Sequence, residues 1–315
     1  PTNEDKSRAA REGRPAFLLT RGKTMVTGRY TMFARKILLI GLAGRVAVAA
    51  AGFPATFASE VIPPDENTVT PLLRAVCADG IRRQVEDGRQ VFGCGDVLNE
   101  IVPLSAAPRR YPWSSGVQWR VDGIIFGHFL SATSDDVAVS GAGAESHPYL
   151  WGGTLLLTKK NGEWEPVWYR MGVITRHCRH LPLSTGRQIL FCEETDSGMG
   201  HGLHFLYSND FLNARRAWDS AVFVADSYDS LLNGGVQKQN IDRVEFVQAS
   251  PKETTVRIFA RHGGVKLSPE DQDRLDREGW PTPQVRRYRV DLRLTGDHFI
   301  PTRETATAAK LFSIQ

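Results

Sequence analysis

Two histidine pairs dominate the chemistry this chain could do. His177-Cys178-Arg179-His180 and His201-Gly202-Leu203-His204 share the same His-x-x-His spacing. Imidazole is a good ligand for zinc or copper. His177, His180, His201 and His204 therefore form a candidate metal site, with metal-dependent hydrolysis as its chemistry. The spacing imposes a condition. Residues three apart on a strand point to opposite faces, so each pair converges only across a turn or bulge; Gly198, Gly200 and Gly202 could supply one. No His-Glu-x-x-His helix is present, and Cys178 is better used as half of a disulfide than as a ligand.

Other candidate chemistry is thinner. The acidic pairs Asp135-Asp136 and Glu193-Glu194 could serve a glycosidase, which needs two carboxylates facing one bond. Neighbours on a strand face opposite ways, so each pair supplies at most one group to a site. Ser197-Gly198-Met199-Gly200-His201-Gly202 is glycine-rich, but no helix opens after it to bind phosphate. No Gly-x-Ser-x-Gly elbow occurs. Five of the seven tryptophans fall between Trp113 and Trp168. Trp151, Tyr149 and Trp168 are the candidate stacking platform for a sugar or another flat ligand.

The four cysteines speak to location. Asp87-Gly88-Arg89-Gln90-Val91-Phe92-Gly93-Cys94 is nearly repeated as Thr185-Gly186-Arg187-Gln188-Ile189-Leu190-Phe191-Cys192. Cys77 and Cys178 lie at similar distances upstream. Four cysteines allow three pairings; the repeat favours Cys77–Cys94 and Cys178–Cys192, each closing a stapled hairpin. Such bridges persist in an oxidising compartment.

An export signal fits that reading. Residues 1–31 are polar and lack an apolar period, and are set apart as an N-terminal extension. Residues 32–58 read as a signal peptide: Arg35 and Lys36, then an apolar run from Ile37, then small residues at Ala49-Ala50-Ala51 or Thr56-Phe57-Ala58. Arg45 interrupts the run, and an uncleaved spanning helix would bury it at a cost of about 2.5–3.5 kcal/mol. Residues 59–74 read as a linker and 75–315 as one all-β domain. The net charge of +4 is small for 315 residues, which argues against nucleic acid as a partner. No membrane association is expected beyond the export signal.

The elements that must position these groups read as strands. Thr154–Lys160, then Asn161-Gly162, then Glu163–Tyr169 is a hairpin with a tight turn. Pro166 cannot donate to a ladder and marks its strand as an edge or a bulge. Tyr288, Val290, Leu292 and Leu294 alternate with Arg287, Arg289, Asp291 and Arg293, a period of two; the arginine row is a solvated sheet face. Two inserted helices are expected, one after Ser268 and Pro269 with its stop at Gly279, another over about 210–220.

One segment resembles a known family. Gly127-His128-Phe129-Leu130-Ser131-Ala132-Thr133-Ser134-Asp135-Asp136-Val137-Ala138-Val139-Ser140-Gly141 is similar to an FG-GAP or VCBS-type repeat, matching at Gly127, Phe129, Asp135, Asp136 and the apolar tail. The resemblance implies a β-propeller-like array of four to six short antiparallel units. Three of the family's acidic positions hold His128, Leu130 and Ala132, so the resemblance implies a loop that kept its shape without calcium, which needs six to eight oxygen ligands. A two-sheet β-sandwich is the alternative fold. The function read from the chain is an exported, non-catalytic binding module for a glycan or protein, with no cofactor. The alternative is the zinc or copper hydrolase built on the four histidines.

Overall fold

The computed structural model describes residues 55–77, 80–86, 88–94, 119–142, 153–198, 201–213, 215, 218–231, 233–250, 253–296 and 298–312. The extension at 1–31 and residues 32–54 of the expected signal peptide (32–58) lie outside them, as do Trp113, Tyr149 and Trp151, whereas its last residues, 55–58, are described and Thr56 and Phe57 pack into the domain.

Helix α1 (Glu66–Cys77) opens the domain. Strands β1 (Arg82–Glu86), β2 (Arg89–Gly93), β3 (Arg120–Gly127), β4 (Asp136–Ala142), β5 (Gly153–Lys160) and β6 (Glu163–Met171) follow. Then come β7 (Cys178–Pro182), β8 (Gln188–Gly198), β9 (His201–Asn209), β10 (Ala221–Ser230), β11 (Gly235–Ser250) and β12 (Glu253–Lys266). Helix α2 (Gln272–Glu278), β13 (Arg286–Thr295), β14 (His298–Pro301) and helix α3 (Ala306–Ala309) complete the chain. The all-β class expected from the sequence holds, in its two-sheet form. β1 to β6 make a six-stranded antiparallel sheet in chain order, and β7 to β14 an eight-stranded one, also in chain order.

The layering follows from strands that are apolar on both faces. Leu155 and Leu157 pack with Val137, Val139, Ile124 and helix α1, whereas Leu156 turns the other way with Ile125 and Ala138. That second face meets Leu190, Cys192, Phe205 and Tyr207 of the eight-stranded sheet. A strand covered on both sides reads as a continuous apolar run, which explains Leu155-Leu156-Leu157. The opposite face of the larger sheet holds Phe191, Leu206, Ile258, Val290 and Leu292, closed by Ala309 and Phe312 of the C-terminal segment.

Local signals in the sequence are met at several points. Asn161 and Gly162 take φ of 52° and 90° in the β5–β6 turn. Pro166 lies on β6, which is both the sheet's edge and shifted in register between Leu156 and Leu157. Cys77–Cys94 and Cys178–Cys192 are both bonded. The repeated Gly-Arg-Gln segments enter β2 and β8 alike, with Gly88 and Gly186 at φ of 76° and 82°.

Three expectations are corrected. Only Cys178–Cys192 staples paired strands; Cys77–Cys94 ties the last residue of α1 to the end of β2. The supposed linker at 59–74 is part of the domain. Asp65 accepts the backbone N–H groups of Asn67 and Thr68 and starts α1, while Val69, Leu72, Leu73 and Val76 give it a fully buried stripe at helical spacing. Over 210–220 the described residues form a turn and a short 3-10 helix at Trp218–Ser220, because Asp210 is drawn into an ion pair with Arg187 and caps a turn through Leu212 N–H.

Candidate functional site

The four histidines do not meet at one point. His180 lies opposite Leu190 on β8, and His201 lies opposite Gly198. At the rise of a strand these positions are about 26 Å apart along β8, so no single ion reaches both. The candidate metal site at His177, His180, His201 and His204 is corrected accordingly. Among the described residues no group of three or more histidine, cysteine, aspartate or glutamate side chains is placed to hold a metal ion.

Each histidine has its own local role. His201 Nδ1 lies 3.0 Å from Asp226 Oδ1, and the Asn233 amide lies 2.8 Å from its Nε2. His180 stacks on Phe129, with its Nδ1 against a Glu60 carboxylate oxygen and its Nε2 2.6 Å from Phe126 O. His177 and His204 converge on one carboxylate. His204 Nε2 donates to Glu193 Oε1 at 2.6 Å, and His177 Nε2 lies 3.4 Å from Oε2. The same carboxylate accepts the backbone N–H of Thr56 at 3.1–3.2 Å. Burial raises the Glu193 pKa, but the bonds and charge of His204 and the Thr56 N–H outweigh it and hold the carboxyl below its usual range.

This node anchors the segment that runs in ahead of α1. His177 Nε2 donates to Phe57 O at 2.8 Å, and the Phe57 ring packs among His177, Phe191 and Phe246. Glu60 N–H donates to Cys178 O, and Ile62 bridges to Ile124 of the smaller sheet. The role is positional. Nothing in the spacing of residues 56, 177, 193 and 204 announces it, since the partners come from the N-terminal segment, the bend before β7 and two strands.

Glu194 points to the opposite face from Glu193, as strand alternation requires. Burial raises its pKa, partly offset by Arg176, with Asp122 and Asp196 adding to the rise. Asp122, ion-paired with Arg176, is raised by the same cause. Tyr207 beside them donates to Ile174 O at 2.9 Å. Both carboxyls are thus held more readily protonated than ordinary carboxylates.

A cleft of about 470 Å³ opens between the β3–β4 loop and the β5–β6 hairpin. Phe126, Gly127, His128, Asp135, Asp136, Lys159, Trp164, His180 and Gln188 line it. Phe126 and Trp164 form an aromatic wall with ring centroids 6.0 Å apart, and Lys159 Nζ sits 5.7 Å from the Trp164 centroid. The loop is held from inside. Asp136 is buried, and its Oδ2 accepts from Phe129 N, Leu130 N and Ser134 Oγ. Asp135 is exposed at the rim. Gln188 Oε1 accepts from His128 N, and His128 Nδ1 contacts Ser134 O.

The cleft offers recognition groups but no assembled catalytic pair. Asp136 Oδ2 is spent on the loop while its Oδ1 is buried without a hydrogen-bond partner, both nitrogens of His180 are engaged, and Ser134 Oγ bonds to Asp136 and to Ser131 O instead of to a histidine. Of the stacking residues expected from the sequence, Trp168 packs against the inter-sheet core beside Phe211 and Arg170; Trp151 and Tyr149 lie outside the described residues. Trp164, on the exposed end of the same hairpin, is the aromatic that lines a cleft, and its place opposite Lys159 beside the Asn161-Gly162 turn was the available signal.

No protein-family model matches the chain, and neither a curated protein nor a solved structure matches it.

Proposed function

We propose that this protein is an exported, non-catalytic binding module whose ligand site is the cleft beside Trp164, and that the ligand is a sugar ring. The carrying observation is the combination in one cavity of about 470 Å³ of the Phe126–Trp164 wall with Asp135, His128 and Gln188 at its edge. Cavities that take small ligands run to roughly 300–1,000 Å³ and pair apolar walls with a few placed polar groups. A pyranose presents an apolar C–H face to an aromatic ring and hydroxyls at its perimeter. Asp135 accepts from such hydroxyls, the Gln188 amide donates to them, and His128 Nε2 accepts, since its Nδ1 is committed to Ser134 O.

The two disulfides support export, since such bridges persist in an oxidising compartment. The likeness of residues 127–141 to FG-GAP and VCBS-type repeats remains a proposal of descent. In this reading Asp136 closes the loop by accepting backbone N–H groups, a structural use of a carboxylate in place of ion binding.

A glycan array followed by titration calorimetry tests the function. The wild-type protein is expected to bind a subset of glycans, and Trp164→Ala and Asp135→Asn each to weaken that binding at least tenfold with unchanged unfolding temperature. Loss of no affinity in either variant, or no glycan bound by the wild type, overturns the proposal.

A further inference from the structure

Beyond the cleft, and independent of it, the outward face of β11–β13 carries a second recognition surface. Strand alternation places Arg257, Phe259 and Arg261 of β12 on this face, opposite Asp291, Arg289 and Arg287 of β13. Arg243 and Glu245 of β11 lie opposite Phe259 and Arg257 on the other side. Among the described residues, the apolar contacts between the sheets run to Leu190, Phe205 and Val224 and include no residue of β11 to β13.

The charges on this face are imperfectly matched. Arg257 forms a two-pronged pair with Asp291, and Arg261 pairs with Asp242 at 2.7 Å. Arg289 reaches the already engaged Asp291 only at 3.6 Å. Arg287 is exposed and has no ion pair among the described residues. Arg261 and Arg287 stand directly opposite each other. Like charges in that relation destabilise a sheet, so the arrangement works against folding. The cations that share this face of β12 and β13 are arginines; Lys266, at the end of β12, falls on the opposite parity. A guanidinium presents a planar fork that grips a carboxylate or sulfate through two parallel bonds, whereas a merely solvated face is served equally by lysine.

We propose that this face binds an acidic polysaccharide, with Arg261, Arg287 and Arg289 as its core. Along β13 successive arginines on one face are about 7 Å apart, and across to β12 the spacing is about 5 Å. A chain bearing regular sulfates or carboxylates can engage such a grid repeatedly. Single-stranded nucleic acid is disfavoured because its binding sites add free aromatic platforms for the bases. The aromatic here, Phe259, is covered by the Arg243 guanidinium 4.3 Å from its centroid.

Heparin serves as the sulfated probe, with single-stranded DNA as competitor, at a series of salt concentrations. The wild-type chain is expected to bind heparin, and Arg261→Gln/Arg287→Gln/Arg289→Gln to lose about tenfold or more in affinity with a shallower salt dependence, by roughly 0.7–0.9 in log–log slope per contact removed. A control of equal charge loss, Arg82→Gln/Arg83→Gln/Arg277→Gln, is expected to change affinity less than twofold. Arg287→Gln alone breaks no ion pair, so its several-fold loss provides the test should the triple variant fold poorly. Three results overturn the proposal: no heparin binding by the wild type, equal losses in face and control variants, or DNA bound as tightly as heparin at the same salt. Glycan-array failure with heparin binding intact would sink the cleft reading alone.

Discussion

The imidazole Nε2 of His204 lies 2.6 Å from Oε1 of Glu193, with side chains only 2% and 6% exposed. Glu193 spends its other contacts on Thr56 N–H and His177, so one buried carboxylate ties β8, β9 and the bend before β7 to the segment preceding α1. A buried charge held this way is costly to strand without its partners.

Replacing Glu193 by glutamine is expected to destabilise the fold by about 2–3 kcal/mol, the worth of charge-assisted bonds in a buried setting. Urea unfolding measures the loss, and hydrogen exchange at Thr56 should quicken. Its pH signature has a definite sign. The folded carboxyl titrates below its ordinary 4.5, so the stabilisation is complete above 4.5 and disappears as the pH falls through the folded value. The urea midpoint of the variant should be the flatter of the two across that acidic window; identical profiles would show that the node contributes nothing.

His262 sets a second pH dependence, of milder onset. Burial holds its pKa below the ordinary 6.5. Gln239 Nε2 donates to its Nδ1 and also to Leu311 O, and the Phe312 ring lies 6.0 Å away. Because the unfolded chain takes up the proton more readily, stability falls as the pH drops below 6.5. Exchange of the amides around Ala309–Phe312 is expected to accelerate between pH 7 and 5.5, and His262→Gln should abolish the trend.

Reduction of the two bridges should be both visible and destabilising. Intact mass is expected to rise by about 4 Da on reduction, and each loop closed over 14 or 17 positions to contribute about 3 kcal/mol in the chain-entropy model. A Cys178→Ala/Cys192→Ala protein with the melting temperature of the wild type would contradict this.

Gly141 is a packing constraint. A Cβ there would stand 2.0 Å from Trp119 Nε1 and 2.1 Å from its Cε2, and that indole is fixed by donating to Gly153 O. Overfilling a closed core costs about 1–3 kcal/mol. Gly141→Ala should therefore lower thermal stability, whereas Gly162→Ala, in open space at a positive φ, should act through backbone strain alone. Retained stability and unshifted tryptophan fluorescence in Gly141→Ala would refute the close approach.

Local chemistry made several features legible in the chain. Asn161-Gly162 admits the left-handed turn, Pro166 forces a bulged edge, and the repeated Gly-Arg-Gln-to-Cys segments identify the cysteine pairs. The alternation of β13 exposes its arginine row. Each depends on residues within one strand or turn, where steric and hydrogen-bonding rules act over a few positions. The linker assigned to 59–74 shows the limit: its stripe of Val69, Leu72, Leu73 and Val76 was readable as a helix, but its place over the smaller sheet was not.

The sites belong to the tertiary structure. The period of two gives the face of each histidine, yet only the pairing of β8 with β7 and β9 separates His180 from His201 and brings His177 and His204 onto Glu193. The cleft gathers residues from 126 to 188, and Trp164 lines it beside Phe126 while Trp168 of the same strand packs on the inter-sheet core beside Phe211. Sequence determined the strands and their bridges, because those follow from nearest-neighbour physics. Which side chains share a cavity or a charge was decided by sheet pairing, because contacts between distant strands depend on the register and layering of the whole fold.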